Sequence, residues 1–330
     1  MRFARPSLIA VSESALPPPH SQFPIPLIID SDPGVDDTLA LLLALASPEL
    51  DVRGISVSYG NTVIENAYRN CVEILRRAGR RLPIAVGARR PLKRALAVAA
   101  ETHGESGLGD APVPPAGVIL DYVKPLDRLL AAQPDPVTLV TLGPVTGLAL
   151  ALHRDPALVR AKVGRHVAMI GNLNAAGNTT RYAEFNAWCD PEALDVVLAA
   201  GLPTELVGLD VTRSIVVTGE EIARLGQQDD PDARWLHAAL QFYRAFHHKH
   251  EGLDGCVVND VLPIAALVRP EVLTFQALRL TIDTEPDESR GRTRADPAGR
   301  SARMATGVDP APVRQLLFER VLPWLAPVAA

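Results

Sequence analysis

The sequence predicts an α/β fold: a single domain in which an open, doubly wound, mostly parallel sheet is flanked by helices. Two patterns predict it. Short runs that are apolar throughout, without polar alternation, are typical of strands buried on both faces. These runs alternate along the chain with longer segments of helical period, as right-handed βαβ units require. The length of 330 residues suits one large domain of this kind.

Six strands and six helices are predicted from these patterns. The strands cover residues 25–30, 54–58, 84–86, 137–142, 166–170 and 204–209. The helices cover residues 35–46, 65–78, 145–152, 191–200, 232–247 and 311–322. Ser47-Pro48 and Gly79 are the predicted stops of the first two helices. The polar stretch 283–303 is predicted to be a long exposed loop or hairpin within the domain.

The composition excludes several classes of function. The net charge is −5, so the basic surface typical of a nucleic-acid-binding protein is not expected. No apolar run approaches the length of a membrane span. The three cysteines form no CxxC pair, which argues against a disulfide framework or a zinc site and favours a reducing compartment. We therefore predict a cytoplasmic protein without nucleic-acid or membrane partners.

The first residues are predicted to lie outside the folded domain. A short apolar patch at 8–11 is followed by three prolines at 17–19, and the patch is shorter than a secretion signal requires. Residues 1–24 are therefore predicted to be a disordered extension, and residues 25–330 to form the folded domain.

Four carboxylates are concentrated where the first strand gives way to the first helix: Asp30, Asp32, Asp36 and Asp37. Ligands of such sheets bind beyond the carboxyl ends of the strands. The helix N-terminus offers each exposed carboxylate only about 0.3–1 kcal/mol, whereas desolvating several of them together costs several kcal/mol. A divalent cation would offset that cost, and all-oxygen ligands favour Ca²⁺ or Mg²⁺ over zinc. The alternative is an Asp-rich cap on an ordinary surface loop.

Other predicted strands also end in polar or glycine residues. Gly60-Asn61 follows the second strand, and Gly143-Pro144 follows the strand at 137–142. The strand at 166–170 leads into Asn178, Glu184 and Asn186. Together with the aspartate turn, these residues predict a polar rim along one edge of the sheet.

Five blocks of sequence resemble a known family when they are taken in order. They are 28–37 (IIDSDPGVDD), 59–61 (YGN), 102–109 (THGESGLG), 142–146 (LGPVT) and 177–186 (GNTTRYAEFN) with DPEA at 190–193. The chain resembles the inosine-uridine-preferring nucleoside hydrolases over roughly residues 25 to 325. The resemblance implies the nucleoside hydrolase fold and Ca²⁺-dependent hydrolysis of the N-glycosidic bond of ribonucleosides to ribose and free base, in nucleoside catabolism and salvage.

The resemblance also implies roles for individual residues. The expected Ca²⁺ ligands are Asp32, Asp37, the backbone carbonyl of Leu142 and Asp260, and Asp32 is also the expected general base for a water on the ion. The expected ribose contacts are Asp36 and Asn61 at O2′, Asn186 at O3′, and Asn178 with Glu184 at the 5′-hydroxyl. Relatives are commonly dimers or tetramers, so a homodimer or homotetramer is expected.

One position departs from the family pattern on the side of the leaving base. Many family members carry a histidine before the late metal-binding aspartate, whereas this chain has Asn259. An asparagine can donate a hydrogen bond to the base but cannot act as an acid near neutral pH. His103 and the cluster at 246–250 are the candidates for the missing donor, with His247 or His248 as the cluster members that would contact the base.

Two other functions are left open by the sequence. Because of Asn259, the protein could be a catalytically weak ribose- or nucleoside-binding protein of the same fold. The Asp30-x-Asp32 pattern also resembles haloacid-dehalogenase-type phosphatases, although the residues that follow it fit that scheme poorly. The preference between purine and pyrimidine bases is also left open.

Overall fold

The protein is built around a large mixed sheet. The structure, a computed structural model, describes residues 24–115, 120 and 123–325, so all but the last residue of the predicted extension lies outside the described residues. Within these ranges, eleven strands form one nine-stranded and one two-stranded sheet. The strands are β1 Ile25–Ser31, β2 Leu50–Val57, β3 Ile84–Val86, β4 Val137–Thr141, β5 Val163–Ala168, β6 Thr204–Leu206, β7 Val216–Thr218, β8 Gly255–Val257, β9 Leu273–Ile282, β10 Thr293–Ala295 and β11 Arg300–Val308.

Helices cover both faces of the large sheet. In the described residues they are α1 Val35–Ala46, α2 Ile64–Arg77, α3 Ala100–His103, α4 Leu126–Ala131, α5 Thr146–Arg154, α6 Pro156–Lys162, α7 Phe185–Cys189, α8 Pro191–Ala199, α9 Leu209–Thr212, α10 Gly219–Gly226, α11 Pro231–Glu251, α12 Val261–Val268 and α13 Pro310–Arg320. None of the helices described has both the length and the apolar character that crossing a membrane would need.

The order of the strands locates a crevice in the large sheet. The order is β10-β9-β11-β6-β5-β4-β1-β2-β3. The chain extends the sheet to one side of β1 through β2 and β3, and then to the other side through β4, β5 and β6, all in parallel. The order therefore reverses between β1 and β4, and ligands of open α/β sheets bind at such a switch point.

The apolar strands are buried on both faces, as their sequence predicts. Leu27 and Ile29 of β1 belong to a core cluster on one face of the sheet, whereas Ile28 belongs to a second cluster on the opposite face. Since successive side chains of a strand point to opposite faces, both faces of β1 must be covered by helices. The mostly parallel, helix-covered sheet predicted from the sequence is confirmed.

All six predicted strands and all six predicted helices are present, with ends that lie within four residues of the predicted ones. The strands β7 to β11 and the short helices were not predicted. The strand β9 alternates between buried and exposed residues and pairs antiparallel with β10 and β11. Its half-exposed sequence therefore lacks the apolar run that identified the central strands.

The polar stretch 283–303 forms a hairpin connection, one of its two predicted alternatives. It contains β10 and the first residues of β11. It is not exposed throughout, because Arg290 is buried and its Nη2 lies 2.6 Å from Oε2 of Glu192 on α8. This ion pair joins the hairpin to the helix layer, a long-range contact that composition does not reveal.

The long helix α11 has clear signals at both ends. Asp230 accepts hydrogen bonds from the backbone N–H groups of Asp232 and Ala233, and Pro231 occupies the first turn, where its missing N–H costs nothing. The helix ends at Gly252, whose φ of 67° lies in the left-handed region that glycine adopts without strain. The helix continues for one turn beyond its predicted end at residue 247.

A buried histidine in the centre of the sheet is held between two threonines. Nε2 of His166, on β5, lies 3.0 Å from Oγ1 of Thr141, and its Nδ1 lies 3.3 Å from Oγ1 of Thr204. Its side chain is fully buried, and burial lowers the pKa of His166 to about 3. The folded protein therefore holds this ring neutral, whereas an unfolded chain protonates it near pH 6.5.

We predict that His166 makes the protein sensitive to acid. A histidine with a lowered folded pKa contributes stability above its unfolded pKa, and this contribution is lost as the pH falls from 6.5 towards 3. Between pH 7 and pH 5 the loss from this one residue is about 2 kcal/mol. Urea unfolding at both pH values should show a decrease that is smaller by about that amount in His166→Gln.

The matched control for this prediction is the interval from pH 7 to pH 8. There the His166 ring is neutral in both states, so wild type and His166→Gln should change in parallel. An equal loss of stability in the two proteins between pH 7 and pH 5 would contradict the prediction.

Candidate active site

The predicted aspartate turn lies at the carboxyl end of β1, beside the switch point. Asp30, Asp32, Asp36 and Asp37 are all buried. Asp37 accepts hydrogen bonds from Oγ of Ser31 at 2.6 Å and from the backbone N–H of Gly34 at 2.9 Å. The carboxylate of Asp37 therefore satisfies the N-terminus of its own helix, which accounts for its place in the first turn of α1.

A late aspartate joins this turn from the far end of the chain. Asp260 immediately precedes α12 and is buried. Carboxylate oxygens of Asp36, Asp37 and Asp260 lie within 4.8 Å of one another. The predicted meeting of Asp260 with the early turn is present in the structure, with Asp36 as the third member of the closest group.

Asp32 has one satisfied and one unsatisfied carboxylate oxygen. Its Oδ2 accepts the backbone N–H of Asn61 at 2.7 Å, whereas its buried Oδ1 has no hydrogen-bond partner among the described residues. Gly60 and Gly143 pack against this carboxylate so closely that a Cβ on either would overlap it. Gly60 lies against Oδ2 and Gly143 against Oδ1, so a side chain at either position would displace the carboxylate.

The carboxylates of Asp32, Asp36 and Asp260 are buried and repel one another, and both effects raise their pKa values. Burial raises the pKa of Asp32 well above its usual value, and the neighbouring Asp37 carboxylate raises it further. Burial and then the Asp36 charge act in the same way on the pKa of Asp260, and burial with Asp37 raises the pKa of Asp36 to about 7. In the described part of the chain, none of these carboxylates forms an ion pair with Lys or Arg. A group of buried oxygen donors without a positive partner suits a hard divalent cation.

Two asparagines position the carboxylates. Besides its backbone contact with Asp32, Asn61 donates from Nδ2 to Oδ2 of Asp37 at 2.7 Å. Asn259 accepts a hydrogen bond from Oγ1 of Thr212 at 2.8 Å. Against the larger effects of burial and of Asp37, the backbone and side-chain N–H groups of Asn259 lower the pKa of Asp36. Thr212 therefore holds the Asn259 side chain where it interacts with Asp36.

The predicted ribose-binding residues follow β5 and form one connected wall. Glu184 precedes α7 and accepts backbone N–H groups of Gly171, Asn186 and Ala187 at 2.7–3.0 Å. Burial raises the pKa of Glu184 to about 7. Asn178, on the exposed part of the same loop, accepts the N–H of Phe185 with Oδ1 and keeps its amide NH₂ for another partner.

The side chain of Asn186 links the ends of two strands. Its Nδ2 donates to the backbone carbonyl of Leu142, which follows β4, at 2.7 Å and to that of Met169, which follows β5, at 3.0 Å. Asn186, an expected ribose contact, therefore holds the carbonyl of Leu142, an expected metal ligand.

Three aromatic rings line the opposite side of the site. His103, the last residue of α3, accepts the backbone N–H of Val35 with Nδ1 at 3.2 Å, and its ring centroid lies 5.0 Å from that of Tyr243. The ring of His247 lies 4.5 Å from Tyr243 in an edge-on contact. Of the two cluster histidines predicted as base contacts, His247 is buried beside this wall, whereas His248 is exposed.

These groups surround one open cavity at the carboxyl edge of the sheet. The predicted site residues that line it are Asp36, Asn61, His103, Leu142, Asn178, Glu184, Asn186, Asn259 and Asp260. Asp32 and Asp37 are buried next to them. The sequence did not identify Tyr243, Phe246 and Arg213 as cavity residues. The four-residue spacing of Tyr243 and His247 on α11 was the available signal, because it places both side chains on one helix face.

Comparisons with known proteins agree with this architecture. A model of the inosine-uridine preferring nucleoside hydrolase family matches residues 27–315. The chain is 38% identical over 278 residues to the pyrimidine-specific ribonucleoside hydrolase RihA of Citrobacter koseri, an alignment that covers 82% of this chain and 88% of that protein.

Solved structures with the same fold include two nucleoside hydrolases. A purine-preferring ribonucleoside hydrolase from Gardnerella vaginalis superposes with a TM-score of 0.83 at 29% identity, covering 91% of this chain and 99% of that one. The plant nucleoside hydrolase PpNRh1 superposes with a TM-score of 0.80 at 31% identity, covering 92% and 100%. The chain therefore belongs to the inosine-uridine preferring nucleoside hydrolase family and is a ribonucleoside hydrolase.

Proposed function

We propose that this hydrolase cleaves the N-glycosidic bond with Asp32 as general base and with Ca²⁺ as its metal ion. The observation that carries the proposal is the unpartnered Oδ1 of Asp32, buried next to the cavity and close enough to Asp36, Asp37 and Asp260 for their charges to interact. An acceptor that has lost its water and gained no protein donor is costly, unless a ligand or ion completes the site.

The donors present fit a calcium ion. They are oxygens throughout, and calcium is bound by carboxylates and backbone carbonyls in flexible geometry. We propose that Asp32, Asp37, Asp260 and the carbonyl of Leu142 hold the ion, and Asp36 is close enough to contribute. A divalent cation bound there would balance the carboxylate charge and make a nearby water more acidic.

Asp32 is proposed to receive the proton of the attacking water. As the water oxygen bonds to C1′ of the ribose, the bond from C1′ to the base breaks, and its electron pair leaves with the base. The hydrogen bond from Asn61 holds Oδ2 of Asp32 in place, which leaves Oδ1 as the proton acceptor. The space kept open by Gly60 and Gly143 is therefore part of the proposed catalytic geometry.

The remaining carboxylates and amides are proposed to bind the ribose. Glycosidic cleavage passes through a sugar with the character of an oxocarbenium ion. A wall with acidic and amide groups from Asp36, Asn186 and Glu184 favours positive charge on the sugar over the neutral ground state, so its attraction grows as the bond breaks. Asn178 and Glu184 are the proposed contacts of the 5′-hydroxyl, with Asn61 at O2′.

His103 is proposed to face the leaving base as a neutral donor. Because Val35 donates to its Nδ1, the neutral ring carries its hydrogen on Nε2. Burial, with a smaller effect from His247, lowers the pKa of His103 to about 3, so the ring offers an N–H and no positive charge near pH 7. Asn259, whose amide is already engaged, is proposed to act through Asp36 and not as a proton donor.

Pyrimidine ribonucleosides are the proposed substrates. The curated relative named above is described as pyrimidine-specific and is 38% identical, whereas the purine-preferring structural neighbour is 29% identical. We further propose that the protein acts in nucleoside salvage in the cytoplasm, as a homodimer or homotetramer. Its three free cysteines, all buried, are compatible with a reducing compartment.

Replacing the proposed base should reduce turnover far more than it weakens binding, because Asp37, Asp260 and the Leu142 carbonyl would still hold the metal ion. Asp32→Asn keeps the oxygen that faces Asn61 and removes the basic carboxylate, so kcat on uridine should fall by about a hundredfold to ten-thousandfold. Release of ribose measures turnover, and calorimetry measures uridine binding. Asp135→Asn, an exposed carboxylate far along the chain, is the matched control and should retain full activity.

Wild-type turnover by Asp32→Asn would show that the base is wrongly assigned. If the unmodified protein binds uridine and releases no ribose over hours, then the catalytically weak binding protein is the correct alternative.

Removing the metal should destabilise the protein most at high pH. The pKa of Asp36, raised to about 7 without a metal, lies above the value of 3.8 for the free side chain, so the contribution of Asp36 to stability is lost as the pH rises through 7. Chelation with EGTA should therefore abolish activity and lower the melting temperature more at pH 8 than at pH 6.

Added Ca²⁺ should restore both activity and melting temperature. Restoration by Mg²⁺ and not by Ca²⁺ would contradict the assignment of the ion. A melting temperature that EGTA leaves unchanged at both pH values would contradict a metal site altogether.

A further inference from the structure

The base side of the cavity contains a second histidine that the proposed mechanism does not use. His247 is 4% exposed and lines the cavity together with His103 and Tyr243. Its neighbours His248 and His250 lie on the exposed part of the same helix turn. Many family members have a histidine at the position of Asn259, which also lines this cavity. In this chain, His247 brings a ring nitrogen to the same cavity from α11.

Hydrogen bonds to the backbone set the two buried histidines in opposite tautomers. Nδ1 of His247 lies 3.0 Å from the carbonyl oxygen of Tyr243, which can only accept, so Nδ1 carries the hydrogen and Nε2 is a bare acceptor. Nδ1 of His103 accepts an N–H from Val35, so the hydrogen of that ring is on Nε2. One ring therefore has a free donor and the other a free acceptor.

Packing holds both rings in these orientations. The ring of His247 meets Tyr243 at 89° and Phe246 at 87°, and Tyr243 in turn lies against His103. Burial lowers the pKa of His247, and burial with the nearby His247 lowers that of His103. Both rings are therefore neutral near pH 7, and each keeps the tautomer that its backbone partner selects.

We propose that His247 is a specificity-determining residue that reads the base of the substrate. Its bare Nε2 accepts an N–H of the pyrimidine, while Nε2–H of His103 donates to the adjacent carbonyl. The proposal rests on the proposed function, because it assumes that a ribonucleoside occupies the cavity. Uracil offers N3–H next to the O4 carbonyl, which matches this pair. Cytosine carries an acceptor and a donor at these two positions in the opposite order. With the base held in place by its ribose, the N3 lone pair of cytosine would face the lone pair of His247, and its N4–H₂ would face Nε2–H of His103.

The consequence is a preference for uridine over cytidine. A site that hydrogen-bonds one edge rejects an analogue that leaves its buried acceptor unpaired. The preference in kcat/KM should be about tenfold or more. It should depend on Nε2 of His247, because the Nδ1–H is already bonded to the helix backbone.

The test compares kcat/KM for uridine and cytidine in three proteins. His247→Phe keeps a ring against Tyr243 and Phe246 and removes the acceptor, so the preference should fall to within about threefold, mainly through a loss on uridine. His248→Phe places the same substitution one residue further on, at an exposed position, and should keep the wild-type preference. An unchanged preference in His247→Phe would overturn the proposal.

A second variant and a direct measurement distinguish the proposal from a folding defect in His247→Phe. His247→Gln can present either an amide N–H or a carbonyl, so it too should lose the preference. Nitrogen-15 NMR of labelled histidines at pH 7.5 should show His247 protonated at Nδ1 and His103 at Nε2. A hydrogen on Nε2 of His247 would overturn the proposal whatever the kinetics.

A substrate without a base separates this proposal from the proposed function. Wild type and His248→Phe should cleave p-nitrophenyl β-D-ribofuranoside at similar rates, because its leaving group offers no N–H to His247, and turnover of this riboside by His247→Phe shows that the variant is folded. Failure of wild type on this riboside and on both ribonucleosides would overturn the proposed function and this proposal with it. Cleavage by wild type with equal rates on uridine and cytidine would overturn this proposal alone.

Discussion

Burial of like charges at one end of a strand is the constraint on which the rest of the site depends. Asp32, Asp36, Asp37 and Asp260 lie out of water within one cluster, and each carboxylate taken from water costs several kcal/mol before any compensation. Hydrogen bonds from backbone and amide groups offset part of that cost. They leave Oδ1 of Asp32 unsatisfied. The proposed binding of a cation and of a positively charged sugar both depend on this residual charge.

The topology of the sheet explains why such a cluster can assemble. Parallel strands place their carboxyl ends at one edge, and the reversal of order between β1 and β4 opens a crevice there. The amide of Asn186 joins the ends of β4 and β5 across this crevice. Asp260 arrives by a separate route, at the start of α12 after the small sheet of β7 and β8. The site is therefore the meeting point of elements that are far apart in sequence.

The two sides of the cavity differ in chemistry. The side proposed to bind the sugar is built from carboxylates and amides on short loops, and backbone N–H groups hold Glu184 in place. The side proposed to face the base is built from rings on α3 and α11 that pack against one another. Asn259 lines the cavity and interacts with Asp36. The residue that departs from the family pattern therefore acts on the Asp36 carboxylate. The helices α3 and α11 supply the rings of His103 and His247, and hydrogen bonds to the backbone fix the tautomer of each ring.

The sequence by itself determined the central strands, their helices and the aspartate turn, because apolar runs, helical period and clustered charge are local properties that neighbouring residues encode. It missed β9 and β11, whose half-exposed residues carry no such run. Only the tertiary structure decided that His247 and not His248 turns inward, and that Asn259 contacts Asp36 and Thr212. Those outcomes depend on which elements pack together, and packing between elements that are far apart in the chain leaves no periodic signal in the sequence.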